Sequence, residues 1–143
     1  MKMIASAAVF VIMSIFFVVS TENPQFEQID DTGIVIIQVI DANGEIIIED
    51  ELEFISDETL FSLLKKHYSI QYSNVSLGRI LLGIETVQTD FETDFIQILI
   101  TGTLHLQDGS IREFHKTPSP IGIDSIPLVD GNIYTFKHQR IGQ

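Results

Sequence analysis

The sequence contains no cysteine, and this absence removes several classes of protein at once. The chain can form neither a disulfide nor a cysteine-based zinc site, and it offers no cysteine for lipid attachment. Small secreted domains often depend on disulfides because their cores are small. A domain in these 143 residues must therefore rely on its hydrophobic core, and a 45% share of apolar residues is sufficient to form one.

Basic residues are scarce. Eight Lys and Arg stand against 20 Asp and Glu, which gives a formal net charge of −12. Nucleic-acid binding requires Lys and Arg to neutralise phosphates, so we expect no nucleic-acid partner. The same charge disfavours docking on anionic lipid, and its simplest interpretation is solubility outside the cell.

Patterns typical of enzymes are missing. The serines follow no G-x-S-x-G pattern, and no glycine-rich phosphate loop follows a predicted strand. His105 and His115 could meet across a hairpin, where they would either bind a metal or form a simple surface pair. Asp90, Glu92 and Asp94 share one loop and could hold a cation weakly. Because no nucleophile, base and orienting group are recognisable together, we predict that the protein is not an enzyme.

The first 20 residues have the composition of a targeting segment. Lys2 is the only charge before Glu22, and residues 4–19 are apolar apart from two serines. A basic residue followed by a hydrophobic run is typical of a secretory signal, and this run is shorter than the ~20 residues of a membrane-spanning helix. We predict a signal peptide over residues 1–20, cleaved after Ser20, and hence a secreted protein. An uncleaved anchor, which would place the domain on the extracellular face of the membrane, is the alternative.

The remainder divides into a short polar segment and one domain. Residues 21–32 are polar, so we expect a flexible lead-in before a domain at residues 33–143. Its first run, Gly33–Ile40, is rich in Ile and Val, as buried strands are. Residues 45–54 alternate between apolar and acidic side chains, which predicts an antiparallel strand with one face on a core. The acidic face is either solvated or a cation-binding ridge.

The connection between these strands carries a hairpin pattern. Asn-Gly between apolar runs favours a type I′ turn, which needs positive φ at both central positions. Asn43 and Gly44 therefore predict such a turn, with a calcium loop beginning at Asp41 as the alternative.

A single helix is predicted after this hairpin. Ser56 can cap the first amide groups of a helix, and Leu60, Leu63 and Leu64 recur at helical spacing. His67 and two lysines before it suit the negative end of the helix dipole, so we interpret His67 as a helix-end residue in preference to a ligand.

Further apolar runs predict the rest of a sheet. They are residues 78–87, 95–101, a hairpin at 104–116, a strand-like run at 121–128 and a closing strand at 132–138, whereas 71–77 and 88–94 are expected to be irregular. Gly83 lies inside the first run, where a bulge or a close backbone approach is the usual reason. One helix on a mixed sheet defines an α+β fold. The order of elements predicts a β-grasp, in which the closing strand lies beside the first strand.

Three stretches carry a family resemblance when they are taken in order. They are SDETLFSLLKKHY (56–68), GRILLGIETVQTDFETDFIQILITG (78–102) and IGIDSIPLVDGNIYTFK (121–137). The first stretch predicts a helix that contains Leu-Leu. The second predicts a strand that begins with glycine, a polar loop and an aromatic-containing strand, and the third predicts a closing strand after an Asp-Gly turn. In this order they resemble the β-grasp-like C-terminal domain of the cobalamin carriers transcobalamin and intrinsic factor. That domain also occurs alone in small secreted or surface proteins.

The resemblance implies a binding module that caps a corrinoid together with a helical partner. In the family, ligand contacts come from the glycine-led strand and the aromatic-containing strand. The matching positions here are Leu82, Gly83, Glu85, Phe95, Ile96 and Gln97. Cobalamin is the cofactor that the resemblance implies, and a helical protein is the implied partner. A structural or protein-interaction module of the same fold, without a cofactor, is the alternative.

Overall fold

The computed structural model describes residues 26–76, 78–90 and 92–142. The predicted signal or anchor segment, residues 1–20, lies outside this part of the chain, as does the start of the predicted lead-in. No helix among the described residues is long and apolar enough to cross a membrane.

Nine strands and one α-helix make up the described part of the chain. In order they are β1 (Phe26–Glu27), β2 (Gly33–Ile40), β3 (Ile46–Phe54), α1 (Leu60–His67), β4 (Ile70–Val75), β5 (Gly78–Ile84), β6 (Val87–Gln88), β7 (Asp94–Leu106), β8 (Ile111–Pro118) and β9 (Ile133–Arg140), with a 3₁₀ turn at Ile123–Ser125.

The strands form two sheets. The large sheet has the order β1-β7-β9-β2-β3, and β8 pairs with the other edge of β7, whereas β4, β5 and β6 form a second, three-stranded sheet. Strands β2 and β9 are parallel, with Val39 opposite Phe136, and the other neighbours in the large sheet are antiparallel. Mixed sheets with a single helix confirm the broad α+β class, and the closing strand lies beside Gly33–Ile40 as predicted.

One face of the large sheet carries the core. Alternation in β2 places Val35, Ile37 and Val39 on this inner face, where all three are fully buried. Tyr134 and Phe136 of β9 stand beside them and are also fully buried. Burial of side chains of this size is the main stabilising term for a domain without disulfides, at about 1.5–3 kcal/mol each.

Helix α1 packs into the same core. Leu60, Leu63 and Leu64 are fully buried, which confirms the prediction from their spacing. The helix begins at Leu60, later than predicted, because Thr59 and not Ser56 is the N-cap. The Thr59 hydroxyl accepts from the Ser62 amide at 3.0 Å, while the Ser62 hydroxyl accepts from the Thr59 amide at 2.8 Å. This reciprocal box satisfies the backbone amides of Thr59 and Ser62 at the start of the helix.

The predicted type I′ turn at Asn43 and Gly44 is wrong. Of the turn residues only Gly44 has a positive φ, of 82°, and five residues, 41–45, connect β2 to β3. The Asp41 carboxylate accepts from the amides of Asn43 at 2.9 Å and Glu45 at 3.0 Å, so it closes the loop without a left-handed residue at Asn43. These bonds are within the loop, and they give Asp41 a structural role.

Two other predicted segments differ in the structure. The sequence predicts an irregular segment at residues 71–77, but Ile70–Val75 forms strand β4. Its polar side chains are exposed, so it lacks the apolar pattern of a strand although it pairs along β5. Residues 121–128 form no strand. Their apolar side chains reach the core from an irregular segment with one 3₁₀ turn.

The N-terminal part of the described chain is attached to the domain. Residues 26–32 fall in the predicted lead-in, and Phe26 pairs with Leu106 as part of β1. The Gln28 side chain accepts from the Leu128 amide at 3.1 Å, and Asp30 accepts from the Asp130 amide at 2.9 Å.

Tyr134 fixes the irregular segment before β9. Its hydroxyl donates to the Pro127 carbonyl at 2.6 Å and accepts from the Val129 amide at 3.2 Å and the Asn132 side chain at 3.2 Å. These groups lie in a buried region, so their hydrogen bonds decide whether the burial of their polar atoms is tolerated.

Removal of the Tyr134 hydroxyl should leave a buried carbonyl and a buried amide without their partner. We expect Tyr134→Phe to lower the free energy of unfolding by about 1–3 kcal/mol in denaturant titration. Tyr72→Phe is the control, because Tyr72 is 38% exposed and contacts Phe61 through its ring. The control should cost less than about 0.5 kcal/mol, and equal losses would contradict the role of the Tyr134 bonds.

The stabilities of wild type and Tyr134→Phe should also depend differently on pH. Burial raises the pKa of Tyr134 to about 12, above the value of about 10 in an unfolded chain. The stability that depends on the protonated hydroxyl is therefore complete below pH 10 and is lost as the pH rises towards 12. We expect the stability difference between wild type and Tyr134→Phe to shrink over this interval. Tyr68, whose pKa is raised by burial and by its bond to Asp50, is common to both proteins.

A bend in β7 depends on Gly102. Its φ is +136°, and a Cβ at this position would lie 1.9 Å from the Asn132 Oδ1. Asn132 fills this space because its side chain accepts from the Thr103 amide at 3.0 Å and donates to the Thr103 carbonyl at 2.8 Å. The side chain thus continues the pairing of β7 beyond the end of β9.

Gly102→Ala should be far more harmful than the same change at Gly109. Both glycines have positive φ, so both variants incur backbone strain of about 1–2 kcal/mol. No atom lies within 4 Å of a Cβ at Gly109, whereas the variant at Gly102 also displaces Asn132. We expect a loss of about 3 kcal/mol or more for Gly102→Ala in chemical denaturation. Equal losses in the two variants would contradict the proposed packing at the bend.

Candidate functional site

The candidate site is the face of the large sheet that lies away from the core, which we call the outer face. Its central residues come from β2 (Ile36, Gln38), β9 (Ile133, Thr135, Lys137) and β7 (Phe95, Gln97, Leu99). All except Thr135 are partly exposed, whereas Ile37, Tyr134 and Phe136 on the inner face are fully buried. The register of three strands therefore assembles a surface from residues far apart in the sequence.

A polar row crosses the outer face. The Thr135 hydroxyl donates to the Gln38 Oε1 at 2.9 Å, and the Gln38 Nε2 donates to the Glu49 Oε2 at 2.5 Å. The amide group of Gln38 is thus held at both ends. This row joins β9, β2 and β3 and fixes the side chains beside which a ligand would lie.

Two polar side chains next to this row are available to a ligand. Gln97 of β7 and Lys137 of β9 are directly opposite in the register, and the structure records no side-chain hydrogen bond or ion pair for either among the described residues. Gln97 offers an amide donor and acceptor, and Lys137 offers a cation. Phe95, Leu99 and Ile133 add apolar surface around them. Such a surface suits a flat, partly apolar molecule with amide or anionic groups.

The six predicted ligand residues do not share one surface. Phe95 and Gln97 lie two residues apart on the outer face, whereas Ile96 between them points into the core and is 8% exposed. Leu82 and Gly83 lie in β5 of the second sheet, and Glu85 follows that strand. The structure therefore brings together two of the six on an open sheet face.

The groups that approach the Gly83 backbone closely are side chains of the protein itself. Leu82 is the extra residue of a bulge, since Gln71 pairs with Gly83 and Tyr72 with Leu81. A Cβ at Gly83 would lie 2.5 Å from the side-chain oxygens of both Gln71 and Gln88.

The Glu85 carboxylate is also engaged within the protein. It accepts from the Ser69 amide at 2.5 Å, and Glu85 itself has a positive φ of 52°. The side chain thereby holds the end of β5 against the start of β4.

The two metal sites considered as alternatives are not assembled. His105 pairs with Ile111, and His115 lies beyond Phe114, which pairs with Gly102, so the two histidines do not face each other. Asp90 and Asp94 are used within their own loop, where Asp94 accepts from the Asp90 amide at 2.6 Å and also contacts His138. Within the described ranges, no group of three or more His, Cys, Asp or Glu residues could hold a metal ion.

Sequence reasoning did not identify Gln38, Thr135 and Lys137. Gln38 interrupts an apolar run and Thr135 and Lys137 interrupt another, which is the pattern of one open face. The pairing of these interruptions becomes visible only with the parallel register of β2 and β9.

Comparison with known proteins gives a similarity of fold. No family model and no curated protein matches the sequence. Among solved structures, a candidate metal-binding protein from Ruminococcus gnavus ATCC 29149 matches with a TM-score of 0.56 and 14% identity, over 76% of this chain and 97% of that protein. Haptocorrin in complex with Cbi also matches with a TM-score of 0.56, at 11% identity over 80% of this chain. The chain corresponds to 26% of haptocorrin.

Proposed function

We propose that this protein is a secreted or surface-exposed, non-catalytic binding module whose outer face takes a corrinoid-like ligand. The observation that carries the proposal is the fold similarity to haptocorrin, which was solved with Cbi, over 80% of the chain. The proposal includes a β-grasp-like fold, supported by the parallel pairing of β2 with β9 and by the helix packed on the inner face.

The outer face has the chemistry that such a ligand requires. A corrinoid is a large ring with amide side chains, so it needs both apolar contact and amide partners. Phe95 and Leu99 supply apolar contact on β7, and Gln97 supplies a group that can donate and accept at once. Lys137 beside Gln97 would favour a ligand with an anionic substituent.

An open sheet face covers only one side of a ligand. Small-molecule sites usually bury most of the ligand surface, so a second protein surface would be needed for tight binding. The chain corresponds to about a quarter of haptocorrin. We therefore propose that a helical partner completes the site and that the isolated chain binds weakly.

The compartment is part of the same proposal. The basic and then apolar order of residues 1–20 supports export, and a net charge of −12 suits a soluble extracellular surface. The absence of cysteine is compatible with an oxidising compartment because the large core replaces disulfides.

Titration with cobinamide tests the ligand. We expect a saturable change in corrin absorbance and a rise in melting temperature, because a ligand that binds only the folded protein stabilises it. Gln97→Leu should weaken binding by about three- to tenfold through loss of amide hydrogen bonds. Gln107→Leu is the matched control, since Gln107 lies exposed at the β7–β8 hairpin tip.

The outcomes separate the two parts of the proposal. If millimolar cobinamide produced no spectral change and no thermal shift, ligand binding by this chain would be contradicted. That outcome would favour an interaction module of the same fold. Binding that Gln97→Leu and Gln107→Leu affect equally would contradict the assignment to the outer face.

A further inference from the structure

We propose that the free edge of β3 binds an extended basic segment of a partner protein by strand addition. Strand β3 is the terminal strand of the large sheet, and β2 is its one pairing partner among the described residues. It is nine residues long, and its register with β2 is regular from Phe54 to Ile48. A long and regular edge presents unpaired backbone groups that an added strand can use.

The opposite edge of the large sheet, strand β8, carries features that prevent an added strand from pairing with it. Strand β8 contains Pro118, a register shift against β7 and Lys116 with a φ of +51°. Proline, lysine and bulges are the usual devices that prevent edge pairing. Strand β3 contains no proline and no lysine, and its one register shift lies at the hairpin end.

The charges on β3 identify the kind of partner. Glu49, Glu51 and Glu53 project in a row on the outer face, about 7 Å apart. On the sheet side, Glu51 faces Ile36 and Glu53 faces Ile34, so β2 supplies no cation for either. None of the ion pairs in the described part of the chain involves an acidic residue of β3.

A strand with Lys or Arg at alternate positions would place cations opposite this row. Opposite charges directly across two strands are favourable, and like charges are unfavourable. A second copy of β3 would bring its own glutamates against the row, so the same charges disfavour self-pairing. At the hairpin end, Ile46 and Ile47 are 54% and 38% exposed and offer apolar contact to a longer segment. The occupant is therefore an extended segment of another protein, with alternating basic and apolar residues.

The experiment uses the full-length chain and three labelled hexapeptides at about 0.15 M salt, where weak surface attraction is screened. One alternates Lys and Val, the second has the same composition in two blocks, and the third is the alternating peptide N-methylated along one edge. Fluorescence anisotropy should show that the alternating peptide binds about fivefold or more tightly than either other peptide, because it alone combines charge register with backbone pairing.

Charge reversal supplies the matched control. Glu51→Lys/Glu53→Lys should weaken binding of the Lys-Val peptide by about tenfold. Glu92→Lys/Glu113→Lys makes the same change in net charge at exposed positions away from β3, and it should leave binding within about twofold. Thermal melts check that both variants fold. Absence of binding, equal binding of the block or N-methylated peptide, or equal losses in the two double variants would each overturn the proposal.

Discussion

The parallel pairing of β2 with β9 is the contact on which the remaining structure depends. It joins segments almost 100 residues apart and brings Ile37 beside Tyr134 and Val39 beside Phe136, all fully buried. Closure of so long a loop costs entropy, and the burial gained at these positions helps to offset that cost. The bonds of Tyr134 and the Asn132 bridge at the β7 bend both serve to hold β9 in this place.

The same pairing creates the surface on which function is proposed. Each strand of the large sheet is two-sided, so a register that buries Val39 and Phe136 must place Gln38, Thr135 and Lys137 on the outer face. The inner face accounts for stability, and the outer face is free to vary in chemistry. The sheet also ends at β3, whose acidic row is a consequence of the same alternation. Ligand face and strand edge are therefore separate features of one sheet.

The sequence was sufficient to predict an element of the fold where one physical requirement dominated. Leucine spacing predicted the buried face of α1, and runs rich in strand-forming apolar residues predicted the strands that pair with β9. It was insufficient where local alternatives have similar energies. Thr59 replaced Ser56 as the cap through a contact with Ser62, and Asp41 closed a turn that Asn43 was expected to make. Within the candidate site, Phe95 and Gln97 were predicted from the sequence. The positions of their neighbours on β2 and β9 follow from the long-range register of the strands, which the local sequence pattern does not encode.

Disulfide trapping of β2 against β9 tests this account most directly, because the chain has no cysteine of its own. Gln38 and Thr135 are directly opposite, and Leu99 lies one strand further away. Adjacent strands are about 4.8 Å apart, within the reach of a disulfide, whereas two strand spacings are not. We predict that Gln38→Cys/Thr135→Cys forms the cross-link under mild oxidation and that Gln38→Cys/Leu99→Cys does not. Failure of the first pair to cross-link, or equal cross-linking of both, would contradict the architecture.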